Sequence, residues 1–391
     1  MNKMQLTDIQ ISRKRKRERA DKRFRLYGLG ALVLALAFLL FFFVDIISKG
    51  LPAFEQAEVL VEVEYSQAAA SNYNKAIPRE YKSVVSRAWL RTIPLTLQNN
   101  PELIGQKQKI WVLADGRVDQ YLKGNEGHRL KEKDQRFADE LKQNGLLRLG
   151  FNSGFFTTGD SKLPENAGIL AAAVGSVLVL ILTMLLAVPV GVMTAIYLEE
   201  FATDNRFTRL IEVNINNLAA IPSILYGLLG LAIFINFMGV PRSSALVGGL
   251  TLALMTLPVI IIATRAALRA VPETIREAAY GLGASRLQTV LHHVLPLAMP
   301  GILTGSIIGL AQAMGETAPL LIVGMMAYIP DTAESIMQAT TVLPAQIYTW
   351  SGESLRAFEE RTAAGIMVLL TVLLSLNALA VLLRRRSERT W

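Results

Sequence analysis

Apolar residues gather along this chain in long runs separated by charged stretches, and the length of each run is informative. From Tyr27 to Ile47 no charge interrupts until Asp45, and about 20 apolar residues let an α-helix cross a hydrocarbon core of ~30 Å. Five further runs meet the same condition: Gly168 to Leu198, Ile211 to Phe237, Ala245 to Leu268, Pro300 to Tyr328 and Ala364 to Leu383. The pattern predicts an all-α polytopic membrane protein with six transmembrane helices. The first run exceeds the ~7 to 15 residues of a signal-peptide core, and no A-x-A-like site follows it, so residues 26–48 read as a retained anchor.

Residues 49–166 break the pattern, with lysines and carboxylates mixed throughout and no run long enough to enter lipid. Val59, Val61, Val63 and Tyr65 alternate with Leu60, Glu62 and Glu64, which is strand periodicity. Ile110 to Ala114, then Asp115-Gly116, then Arg117 to Leu122 reads as a β-hairpin, while Arg79 to Leu90 and Glu132 to Leu141 read as helical. A small α+β insert between the first and second spans is expected.

Charge fixes the orientation. Formal net charge is +8, and the basic residues cluster at span ends, with Arg13 to Arg17 and Arg19 before the first run and Arg384, Arg385, Arg386 and Arg389 after the last. The positive-inside rule then puts both basic tails, 1–25 and 385–391, in the cytoplasm, and six spans return the chain to the side it began on. The loops Glu199 to Arg209 and Val271 to Pro296 become cytoplasmic; the insert, Gly239 to Ser244 and Ile329 to Arg361 lie outside. With 52% hydrophobic and 18% charged residues and a mean hydropathy of +0.36, an ordinary soluble domain is excluded, and basic residues confined to span ends argue against nucleic acid as a partner. Cys 0 removes disulfides, thiolate metal sites and cysteine nucleophiles. His128, His292 and His293 are the only histidines, and sequence neighbours do not share a helix face, so no metal site is expected.

One loop is unusually ordered for a connection between spans. Pro272 suits a first helical position, Glu273 suits the positive end of the helix dipole, Gly281 and Gly283 permit a turn, Ser285 with Gln288 makes an S-x-x-Q capping box, and Pro296 closes the unit. Ala278, Ala279 and Gly283 keep one side small, so another protein can approach the backbone. Glu277-Ala278-Ala279, Gly283 after three intervening residues, then Leu295-Pro296 resembles the EAA loop of bacterial ABC importer permeases. His293 stands where that pattern prefers an aliphatic residue. Gly315-Glu316-Thr317-Ala318-Pro319 and Ile221-Pro222-Ser223-Ile224-Leu225-Tyr226-Gly227 are similar to the corresponding stretches of phosphate importer permeases of the PstA type. The resemblance covers about Gly168 to Arg386. It implies a MetI-like core over 167–384 with coupling loop 271–296, a bacterial inner-membrane location with residues 49–166 periplasmic, and inorganic phosphate as cargo. The partners it implies are a second homologous permease (PstC-like), two ATPase subunits (PstB-like) that bind ATP and Mg, and a periplasmic phosphate-binding protein (PstS-like). No cofactor is expected on this chain, which has no G-x-x-x-x-G-K-[ST] phosphate loop.

Glu316, placed near the middle of the fifth span, costs on the order of 2.5 kcal/mol or more to insert and should face protein or water. It is either a pathway group or a buried structural acid. Gln312 shares its face, standing where PstA-type permeases often carry arginine, and Thr317 follows; these three and Arg265 are the candidate path residues. Arg265 could meet an oxyanion, pair with Glu316 or snorkel to headgroups. Gly301, Gly305 and Gly309 form a small-residue stripe for helix packing. Pro189, Pro222, Pro258 and Pro319 are hinges or static kinks, and Tyr226 and Asn236 line a path or pack. A permease for molybdate or sulfate differs only in cargo. A membrane sensor would need a cytoplasmic output domain, and an intramembrane hydrolase a nucleophile and base; neither is visible, and no catalytic residues are expected.

Overall fold

The computed structural model describes residues 8–387, with side chains from 13 to 382. Residues 1–7 and 388–391 of the two basic tails, Arg389 among them, lie outside the described residues. The chain divides into two units, Met1–Lys49 and Gly50–Trp391. The first is essentially one helix, α1 (Asp8–Gly50), in which the basic stretch and the apolar run are continuous. Its charged half carries i,i+4 pairs, Lys14 with Glu18 at 3.9 Å and Arg25 with Asp21 at 3.1 Å.

The second unit opens with the insert. Strand β1 (Glu55–Glu64) is followed by α2 (Gln67–Ser71), α3 (Arg87–Asn99), β2 (Lys107–Leu113), α4 (Gly116–Leu122), α5 (Glu132–Gln143), β3 (Leu147–Phe151) and α6 (Gly154–Thr157). The sheet order is β2-β1-β3, all antiparallel, with Val61 opposite Ile110 and Val59 opposite both Val112 and Leu147. The alternating row Val59, Val61, Val63 points inward and packs with Leu90 and Ile93 of α3, Val118 of α4 and Leu141 of α5. The hairpin expected around Asp115-Gly116 is not formed. Asp115 instead accepts the Arg117 N–H at 3.0 Å as the N-cap of α4, because an Asx side chain that satisfies a free helix N–H competes with a turn. The helix expected over Arg79 to Leu90 is a 3-10 turn, Arg79–Ser83, and then α3, which starts at Ser86 as its cap.

The membrane bundle follows: α7 (Leu170–Ile196), α8 (Arg206–Ala219), α9 (Ser223–Gly230), α10 (Ala245–Arg269), α11 (Glu273–Gly281), α12 (Arg286–Thr289), α13 (Leu295–Gly315), α14 (Ala318–Ile322), α15 (Leu343–Ser351) and α16 (Ala357–Ser387). Wide π turns extend α7 through Tyr197–Phe201, extend α9 through Leu231–Phe237, and join α12 to α13 at Val290–Val294. Among the described residues five helices are long and apolar enough to cross a membrane, and the sixth crossing requires a broken pair, Arg206–Ala219 with Ser223–Phe237, bent by 105°. The run Ile211 to Phe237 is therefore not one straight span. Pro222 ends the first helix and opens the second, since it can neither donate to the ladder nor leave the residue before it helical. Residues 223–237 reach only ~22 Å at 1.5 Å per residue. Pro189 and Pro258, by contrast, lie within continuous helices.

The stripe on α13 packs against α10 in antiparallel register. A Cβ on Gly301 would meet Ala267, on Gly305 Ala263, and on Gly309 Ile260. The stretch Ile329 to Arg361 is not a plain loop. It holds α15, whose Leu343, Ala345 and Trp350 are buried, and the first turn of α16. That turn binds the insert: Glu360 accepts from Gln120 at 2.9 Å and Asn125 at 2.7 Å and pairs with Lys123 at 3.1 Å. Lys123 also holds Asp119 at 2.7 Å, and Arg361, 3% exposed, donates to the carbonyls of Pro164 and Ala53 at 3.1 and 3.0 Å.

Candidate functional site

The loop between α10 and α13 is built by local rules. Pro272 is the residue before α11, one position earlier than expected, with extended ψ 139°, and Glu273 opens the helix. Gly283 takes φ +84°, where glycine has no Cβ penalty. The reversal lets Gly283 donate to Tyr280 O at 2.9 Å and Ala284 to Ala279 O at 3.0 Å, closing α11 with the paired bonds of a glycine C-cap. Ser285 and Gln288 form both halves of a capping box. Leu295 and Pro296 do not end the unit, because the chain runs as helix from Arg286 to Gly315. The π turn before Pro296 widens the backbone where a proline lacks its N–H.

Glu277, Ala278 and Gly283 are exposed, whereas Ala279 is buried. Leu282 at the tip is 90% exposed, and Tyr280, Leu287 and Leu291 are exposed nearby. Burying one leucine is worth ~1.5–3 kcal/mol, and exposed apolar residues grouped on an ordered turn mark a surface that a partner covers.

Behind this face lies an ion-pair cluster that ties the loop to the spans. Arg276 reaches Glu200 at 2.7 Å, and its other donors meet the carbonyls of Leu268 and Val271 at 3.0 and 2.9 Å. It thereby caps the end of α10 while holding the extension of α7. The hydrogen bond to Glu200 keeps the guanidinium above its ordinary pKa, against the opposing effect of burial. Arg265 pairs with Glu199 at 3.2 Å and with Glu212 of α8 at 2.5 Å, and Arg269 binds Glu199 at 2.7 Å. Arg265 is thus held by two carboxylates and does not pair with Glu316. Sequence reasoning did not single out Glu199, Glu200, Glu212 or Arg276. The visible signal was an acidic pair at a span end where the positive-inside rule favours lysine and arginine.

The other candidate residues lie further along α13. Glu316 is not within a helix: it is the C-cap of α13, with ψ 127°, and Thr317 precedes α14. Pro319 forces this break, since it disfavours a helical residue before it and suits the start of a new helix. Gln312 is exposed, and Glu316 and Thr317 are half-buried. Arg265 falls between the Ala263–Gly305 and Ala267–Gly301 contacts, level with about Leu303, so Glu316 lies ~20 Å further along the α13 axis. The broken span meets the chain just after the end of α13, because a Cβ on Gly227 of α9 would fall 2.8 Å from Pro319 Cα and 2.9 Å from its carbonyl oxygen. Tyr226 is buried and donates to Leu218 O at 2.7 Å across the bend, so it packs and braces. Discontinuous helices meeting inside a bundle expose backbone groups that an all-helical span would satisfy internally.

A bundle with a broken span packed against the helix break after α13, and an ordered loop clamped to its helix ends, defines a multi-pass membrane transport component. Residues 187–389, more than half of the chain, match the family described as binding-protein-dependent transport system inner membrane component, and the chain belongs to that family. Residues 12–96 and 74–132 match a domain of unknown function, DUF3333. The probable ABC transporter permease protein YqgI of Bacillus subtilis (strain 168) is 37% identical over 179 residues, 46% of this chain and 60% of that protein. Phosphate transport system permease protein PstA 1 of Mycobacterium tuberculosis (strain CDC 1551 / Oshkosh) is 34% identical over 225 residues, 57% of this chain and 73% of that protein. A solved inward-facing form of the MetNI methionine ABC transporter is 18% identical, covering 55% of this chain and 95% of its own, with a TM-score of 0.44.

Proposed function

We propose that this chain is the PstA-type permease subunit of an ATP-driven importer for inorganic phosphate. The observation that carries the permease role is the loop, with Leu282 and its neighbours presented outward while Arg276 anchors the same turn to α7 and α10. Force applied to the loop reaches the spans through that anchor. The cargo rests on the relatives named phosphate transport system permease proteins. In this reading ATP and Mg bind two partner ATPase subunits that cover the loop, a second homologous permease completes the path, and a periplasmic binding protein delivers phosphate. Both termini are cytoplasmic and the insert is periplasmic. Glu277, Ala278, Gly283 and Leu282 contact the ATPase, and Glu316, Gln312 and Thr317 border the path.

The test is ATP-dependent uptake of labelled phosphate into vesicles holding this chain, the partner permease, the ATPase and the binding protein. Omitting this chain should abolish uptake; undiminished uptake removes the assignment. Glu316→Gln, inserted normally, should abolish uptake too, and unchanged transport would remove Glu316 from the path while leaving the permease role intact.

A further inference from the structure

Where the insert meets the start of α16 there is a cleft of about 430 Å³, lined by Arg87, Arg117, His128, Arg129 and Arg356 together with Asp115 and Glu165. The volume falls within the range of small-molecule sites. Its two acids are already engaged. Asp115 binds Arg117 through both oxygens, at 2.8 and 3.2 Å, and Glu165, 7% exposed, accepts from Ser86 at 3.0 Å. The remaining cations are not neutralised. Among the described residues Arg87 and Arg129 have no carboxylate within 4.0 Å, and Arg356 reaches Glu359 only at 4.0 Å. His128 accepts the Leu130 N–H at Nδ1, 3.0 Å, which leaves Nε2 as the donor on its other edge.

The backbone here is unusual. Arg129 holds φ +51°, a left-handed conformation that strains a side chain bearing a Cβ, and such strain collects at ligand sites. Gly127 lies against the Arg356 side chain, whose Cδ would come within 2.7 Å of a Cβ there. The strained turn therefore packs directly on the arginine that precedes α16.

We propose that this cleft binds a small, multiply charged oxyanion bearing a phosphate group, with Arg87, Arg129 and Arg356 as its guanidinium ligands and His128 Nε2 as a further donor. Planar guanidinium forks match phosphate oxygens bidentately. The cleft is larger than orthophosphate alone requires, so a diphosphate or phosphate monoester fits it better. Such a ligand would join Arg129 of the insert to Arg356 of the core, beside the Gln120 contact with Glu360. The site lies between the insert and the start of α16 and uses none of the residues proposed to border the path, so it stands or falls independently of the transported cargo.

The experiment is isothermal titration of pyrophosphate and glycerol 3-phosphate into the full-length chain in phosphatidylcholine nanodiscs, without ATPase or binding protein. Saturable binding of at least one is expected. Arg129→Gly, which relieves the strained φ while deleting the guanidinium, and Arg356→Gln should each weaken it about tenfold. Arg136→Gln, at an exposed position of α5, should leave it unchanged. If binding is absent in the parent chain, or persists in the double variant whose melting temperature matches the parent, the proposal is overturned. Repeating the titration in phosphatidylglycerol nanodiscs separates the two sources of phosphate. A soluble ligand binds equally in both lipids, whereas a headgroup already in the cleft suppresses the titration in the anionic one.

Discussion

Arg276 joins three elements with one side chain, holding α11, the end of α10 and the extension of α7. Its side chain is 10% exposed and that of Glu200 6%, and removing one member of so buried a pair costs about 3–5 kcal/mol. Glu165, in the insert, shows the opposite balance. Burial pushes its carboxyl above the usual range, Asp115 and Asp119 push it the same way, and the Ser86 hydrogen bond opposes them. An acid with a raised folded pKa binds more protons folded than unfolded, so stability falls as pH rises from about 4.3 through the raised value. Glu165→Gln should therefore raise the melting temperature relative to the parent by an amount that is smallest near pH 4 and grows toward pH 7. A difference that stays flat across this window would show that ionisation of Glu165 carries no such penalty. Residues of this kind were not legible in the sequence. Arg265 and Glu199 stand 66 positions apart, and nothing local says that one will meet the other. Loop residues whose role is local were legible: Gly283 takes the positive φ its position in the turn implied, and Ser285 with Gln288 caps as spaced.

At the scale of elements, the contact between α9 and α14 is the least forgiving. Gly227→Ala should cost about 1–3 kcal/mol, because the added methyl meets backbone atoms of Pro319 that cannot rotate away. Gly315→Ala, with nothing within 4 Å of its Cβ, should be near neutral. Melting of both variants in detergent checks this, and equal losses would mean that α9 and α14 are not packed as described. Hydropathy revealed where apolar chain lay but not where it bent, since Ala220 and Ile221 at the bend are more apolar than the amphipathic helix before them. Pro222 and Pro319 carried the breaks, and Pro189 and Pro258, equally visible, do not break their helices. A window average responds to solvent preference; whether a proline kinks or ends a helix depends on what packs across it. The alternation in β1 was legible for the converse reason, as one face is buried and the other wet. The misread hairpin failed because β2 pairs with β1, much earlier in the chain.

Across the whole molecule, orientation can be read without background, since the chain has Cys 0. Lys133→Cys, exposed on α5, should react with an impermeant maleimide added to intact spheroplasts. Leu282→Cys should react only after permeabilisation and become protected when the ATPase is present. Reaction of Leu282→Cys from outside would invert the topology. The bonds from Lys123, Gln120 and Asn125 to Glu360, and from Arg361 to the carbonyls of Ala53 and Pro164, join the insert to the last span through buried groups. They leave no slack for that end of α16 to turn while the sheet stays still. The insert then behaves as a pointer fixed to a shaft: a fluorophore on its distal face would report each rotation of the span to which it is bonded.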